Sequence, residues 1–155
     1  MVFAGVKVIY LLALIVWLGE VVCVSFVAAP ALFRVLAVAD AGRAVSAIFP
    51  IYYKVGYACG GLLLGSALIL RSLAGGRAWA VVAALAALML AATLYAGVVV
   101  QPRAQSLRHQ LHAEVAAPEV KAQFDRLHHL AVQLNVAVLL GGLAIAAITA
   151  VQLKP

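Results

Sequence analysis

The chain reads as an all-α membrane protein, a four-transmembrane-helix bundle whose third and fourth spans continue outside the bilayer as a helical hairpin. Three observations predict this. Of its 155 residues, 67% are hydrophobic and 10% charged, with a mean hydropathy of +1.14, whereas soluble domains carry about a quarter charged residues. Four apolar stretches, near residues 8–33, 49–70, 78–100 and 130–151, each reach the about 20 residues that cross a bilayer core as a helix. None shows the alternating pattern of a membrane barrel, and only helices or closed barrels satisfy the backbone inside lipid. The whole chain, 1–155, is thus one transmembrane domain.

The first span is bounded by Lys7 and Arg34 and holds one acid, Glu20. That acid argues against a cleavable signal, because the apolar run carries it and continues past a signal core. Before the second span, Asp40 is placed to cap a brief helix, and Pro50 suits the first turn of the span itself. Lys54 and Arg71 bound that span, and Gly75-Gly76 marks a tight turn into the third, which Arg77 and Arg103 bound. Beyond it, Leu107, Leu111 and Val115 recur every fourth residue among Arg103, Gln105, Arg108 and Gln110. This is an amphipathic helix bent at Pro102. Pro118, followed by Glu119, starts a new helix. Run unbroken to Val151, it is about 50 Å long at 1.5 Å per residue, so residues 103–129 form the hairpin outside the bilayer.

The net charge is +6 and the pI near 9.8. The cations lie between apolar runs, where anionic head groups and membrane topology account for them. No basic patch with interleaved aromatics exists, which excludes nucleic acid as the partner. Lys7, Arg71, Arg77 and Lys154 fall on one side of the membrane; Arg34, Arg43, Lys54, Arg103, Arg108, Lys121 and Arg126 fall on the other. The excess of basic residues puts the larger loops in the cytoplasm and both termini outside, in a bacterial-type inner membrane. Small residues four apart, Gly56/Gly60 and Gly61/Gly65, with Gly141-Gly142 in span four, let helices approach closely. They favour packing within the bundle over self-association as a homo-oligomer; a membrane-complex partner is a separate expectation that they do not address.

Glu20 stands thirteen positions after Lys7 and fourteen before Arg34, about 20 Å from each end of a helix and so near the midplane. A carboxyl there is either a proton or cation relay or ligand contact, or a neutral acid whose hydrogen bond fixes helix register. Trp17 lies one turn away on the same face. His128 and Asn135, seven apart, share a face of span four that points into the bundle, which makes Glu20, Trp17, His128 and Asn135 one intramembrane polar cluster. His109 and His112 share a face at i, i+3; with His128 and His129 they are a candidate transition-metal set, although four solvated histidines are the commoner arrangement. Haem would need paired histidines deep in apolar spans, and spans one to three contain none. Tyr52, Tyr53 and Tyr57, with Phe49 and Trp79, read as an interfacial belt from which Lys54 snorkels; a substrate-binding aromatic cluster is the sharper alternative. Cys23 and Cys59 form no CxxC pair and read as inert buried thiols rather than a soft-metal site.

Trp17-Leu18-Gly19-Glu20, Ala29-Pro30-Ala31-Leu32-Phe33-Arg34, Ala41-Gly42-Arg43, Phe49-Pro50 and Tyr52-Tyr53 follow one another in order. Gln101-Pro102-Arg103, Phe124, Leu127-His128 and Leu134-Asn135 continue the series. Together they resemble a family of uncharacterised four-span membrane proteins similar to the animal transmembrane protein 205, whose link to drug resistance and vesicle traffic implies transport or trafficking. A remoter likeness reaches copper-resistance D domains and the small haem-binding membrane protoporphyrinogen oxidases. The oxidases carry a His about two turns before the Trp; Tyr10 stands there in this chain, a departure that counts against haem. The resemblance singles out Glu20, Arg34, Arg43, Tyr52, His128 and Asn135 as candidates without assigning roles; separately from it, Arg34, Arg43, Tyr52, Tyr53 and Lys54 are candidate ligand or partner contacts. The expected function is binding or translocation of a small ligand, ion or metal through the polar cluster. The alternatives are a haem-dependent membrane oxidoreductase and a non-catalytic accessory subunit.

Overall fold

The computed structural model describes residues 2–113 and 118–152, apart from the side chains of Val2, His109, His112 and Ala113. Every element among them is helical: α1 Val2–Val22, α2 Ala29–Val35, α3 Val38–Ala74, α4 Arg77–Tyr95, α5 Gln101–Ala113 and α6 Pro118–Gln152. Four continuous helices, Phe3–Val35, Val38–Ala74, Arg77–Arg108 and Pro118–Gln152, are long and apolar enough to cross a membrane. The protein is an integral membrane protein. α1 packs on α3, α3 on α4 and α4 on α6, while α6 closes the ring against α1; α5 lies along α6 as the other arm of the hairpin. Val115, the last residue of the expected amphipathic stripe, lies outside the described residues.

Two prolines shape the helices in the same way. A π-helical stretch, Cys23–Ala28, joins α1 to α2 just before Pro30, and a second, Ala96–Val100, joins α4 to α5 just before Pro102. A proline lacks its own N–H and crowds the carbonyl four residues back. In both places the turn widens instead of breaking: Ala29 N–H reaches Val24 O and Gln101 N–H reaches Ala96 O, each five residues back. The expected bend at Pro102 is therefore a widened turn.

Pro50 behaves differently, and here the expectation is corrected. α3 is one helix from Val38 to Ala74 with Pro50 inside it, not a brief helix followed by a span that starts at Phe49. The proline removes the bond to the Ser46 carbonyl, and the turns ahead of it pack on α2 and accept hydrogen bonds from Arg108 of α5 at Gly42 and Ser46. Asp40 is not the cap either: Ala37 occupies that position without a side-chain bond, and Asp40 pairs with Arg43 one turn on. Gly75 and Gly76, at φ of 68° and 93°, make the turn into α4 in backbone space that other residues rarely enter.

In the core, Trp17, Tyr10, Leu63, Leu70, Val82 and Ile145 are almost wholly enclosed. Lipid supplies no hydrophobic drive between helices, so close packing must hold them. Trp17 lies over the small face of α3; a Cβ built on Gly60 would meet its ring at 2.9 Å. Tyr10 donates to or accepts from Thr149 at 2.6 Å and meets Trp79 edge to face at 5.5 Å. That bond fixes α1 to α6 at one end of the bundle.

Candidate functional site

Away from the Tyr10–Thr149 end, α1 and its continuation α2 diverge from α6. The gap is a cavity of about 510 Å³, within the about 300–1,000 Å³ usual for small-molecule sites. Its walls come from the widened turn after α1, from α2, from α3 between Val45 and Tyr53, from Ala92 to Ala96, from α5 and from α6 between Phe124 and Leu139. Phe26, Pro30, Phe33, Val132 and Val136 line its rim and are exposed.

One polar chain crosses the inner wall. Tyr52 of α3 donates to Asn135 Oδ1 of α6, and Asn135 Nδ2 donates to Ser25 Oγ at 2.8 Å. Ser25 stands in the widened turn before Pro30. This chain ties α3 to α6, diagonal corners of the ring, and adds the first span to the same contact. At the hairpin end, Arg108 donates to the Gly42 carbonyl and to Ser46 Oγ, with its guanidinium 5.2 Å from the Phe124 ring centre. It joins α3, α5 and α6 at the end of the cavity. Its place on the polar face of the expected amphipathic helix gave no sign of this, because one of its partners is a backbone carbonyl.

The expected cluster divides between two places. Asn135 and His128 line the cavity with Tyr52 and Tyr53; His128 is exposed and stacks on Phe124, with ring centres 6.2 Å apart. Trp17 is not in the wall. It packs between α1 and α3, 1% exposed. Glu20 is half-buried outside the cavity lining, within Coulombic range of Tyr52 and Cys59, and its Oε2 is buried without a hydrogen-bond partner.

The tyrosines do not form the expected interfacial belt. Tyr52 and Tyr53 turn inward at 7% and 9% exposure, Tyr53 stacks on Tyr57 at 6.3 Å, and Trp79 packs on Tyr10. Gly97, in the widened turn after α4, lies so close to this group that a Cβ would collide with the Tyr57 hydroxyl and fall 2.7 Å from the Tyr53 ring. Arg34 and Lys54 are exposed, and Arg43 holds Asp40 at the surface. His129 Nδ1 lies 2.7 Å from the Asp125 carbonyl. His109 and His112 have side chains outside the described residues. Among the described residues, no group of three or more His, Cys, Asp or Glu is placed to hold a metal. Cys23 is exposed and Cys59 buried, both free thiols.

No curated protein and no solved structure matches the chain. A family model described as a domain of unknown function matches residues 12–113. The match runs from Leu12 within α1 to the end of α5 and includes every cavity wall except α6. The chain belongs to that family of uncharacterised proteins, DUF4149.

Proposed function

We propose that the protein binds a small, largely apolar ligand in the cavity between the first span and α6. One observation carries the reading: an open space of ligand size whose largely apolar wall holds a few convergent polar groups, the connected chain Ser25–Asn135–Tyr52 along the inner wall and Thr93, Gln101, Arg108 and His128 beside it. Small-molecule sites have this composition, apolar walls with a few convergent polar groups. The motif order resembling the relatives of transmembrane protein 205 fits ligand binding or transport. The excess of Arg and Lys beside the larger loops supports an inner-membrane protein with both termini outside.

The test is saturable binding of N-phenyl-1-naphthylamine to the purified protein in nanodiscs, read by the probe's fluorescence. Ala131→Phe puts a ring into the half-buried wall of α6 and is expected to abolish binding while the helical circular dichroism stays unchanged. Linear, non-saturating uptake by wild type, equal to that of the variant, refutes the reading.

A further inference from the structure

From the rim and the hydrogen count of the polar chain, we infer that the ligand is a membrane-borne molecule with a long apolar body and an sp² oxygen acceptor, taken in sideways from the bilayer, its oxygen held by the Ser25–Asn135–Tyr52 chain. The inference rests on the proposed binding function and names its ligand class.

The rim supplies the route. Phe26 and Phe33 on one lip and Val132 and Val136 on the other are exposed, and both lips belong to the apolar stretches Phe3–Val35 and Pro118–Gln152 that are fit to cross a membrane. An opening edged by these side chains faces acyl chains rather than water, so a ligand must be soluble in lipid to reach it.

The hydrogen count supplies the head group. The two bonds use the Tyr52 hydroxyl hydrogen and one hydrogen of the Asn135 amide. The Ser25 hydroxyl hydrogen and the second amide hydrogen remain. Turning the amide over changes the identity but not the balance: Ser25 then donates to Oδ1, Asn135 donates to Tyr52, and the phenol hydrogen is left. Either way a hydroxyl donor is unspent at the cavity wall. An unmet donor costs more than an oxygen lone pair left unused, which proteins tolerate more often. The complementary group is an acceptor, a ketone, quinone or ester oxygen, and not an ammonium group. Acyl esters of lipids and isoprenoid quinones share this chemistry.

The test uses nanodiscs of ether-linked phospholipid, which carry no ester carbonyl, and compares hexadecane with 2-hexadecanone labelled with ¹³C at the carbonyl. The expected result is binding of both, the ketone about fivefold tighter, as one net hydrogen bond implies, with its carbonyl stretch lowered in frequency against the same ketone in protein-free discs. Combining Tyr52→Phe, Ser25→Ala and Asn135→Leu removes every donor of the chain; it is expected to lose both the preference for the ketone and the frequency shift. Displacement of the labelled ketone by a diacylglycerol assigns the site to acyl esters, and displacement by ubiquinone assigns it to quinones; either supports the inference. Equal affinity for ketone and alkane overturns it while leaving the binding function intact, as does a shift that persists in the triple variant or displacement by neither competitor. Binding of neither probe overturns the binding function itself.

Discussion

Replacing Asn135 by leucine leaves the Tyr52 hydroxyl without its acceptor in a place where the side chain is 7% exposed. A buried polar group stripped of its partner costs about 1–3 kcal/mol, and a variant at Asn135 also loses the bond to Ser25. Interhelical hydrogen bonds in membrane bundles average about 0.6 kcal/mol and reach about 1–2. Asn135→Leu should therefore cost about 2 kcal/mol. Tyr52→Phe should cost about 1 kcal/mol, since Asn135 keeps its bond to Ser25. The double variant should cost about 2 kcal/mol rather than 3, a coupling of about 1 kcal/mol. For a chain of this length, 1 kcal/mol moves the unfolding midpoint by about 2–4 °C. The assay is thermal unfolding in dodecyl maltoside, followed by tryptophan fluorescence of wild type, both single variants and the double. Strict additivity, with the double falling by the sum of the singles, refutes a direct Tyr52–Asn135 bond as the tie between α3 and α6.

Three further outcomes follow from the packing. Thr149→Val strands the buried Tyr10 hydroxyl, whereas Tyr10→Phe leaves Thr149 bonded to the Ile145 carbonyl at 2.7 Å; the threonine variant should lower the midpoint more, and the reverse order in the same melt counts against the pin. Gly60→Leu drives a side chain into Leu90 and Trp17, where even a Cβ comes within 2.8 and 2.9 Å, and should cost about 1–3 kcal/mol by overpacking. Gly61→Ala meets nothing within 4 Å and serves as the neutral control, with Trp17 emission reporting the displacement. Glu20→Leu removes a carboxyl oxygen buried without a partner and should raise the unfolding midpoint; a fall would mean that the carboxyl is held by a contact worth more than its desolvation.

The sequence makes the four spans and the hairpin legible because lipid solubility and backbone satisfaction leave few alternatives. The unbroken helix from Pro118 reads directly from a proline at its start and no breaker until Gly141. The candidate site was legible only in pieces. In a soluble helix, apolar periodicity tells the buried face from the wet one, but a span has apolar residues on both its lipid face and its core face. That is why Tyr52 and Tyr53 read as a belt although they point inward. Ser25 gave no signal, since a lone serine in a span is ordinary, and its place beside Asn135 depends on the widened turn before Pro30. Arg108 was hidden for another reason: it bonds the Gly42 carbonyl, and a carbonyl is the same at every residue. The early start of α3 was missed because Pro50 resembles a helix opening unless the turns before it are also helical.

The Tyr10–Thr149 bond has a mechanical corollary. With α1 secured to α6 at one end, the gap at the other widens by tilting rather than by parallel separation, and displacement grows with distance from the secured point. Ser25 lies about 22 Å along the helix from Tyr10, and Phe33 about 34 Å, at 1.5 Å per residue. A tilt that shifts the serine by a given amount moves the outer lip about one and a half times as far, so the lip is the sensitive gauge of what occupies the interior.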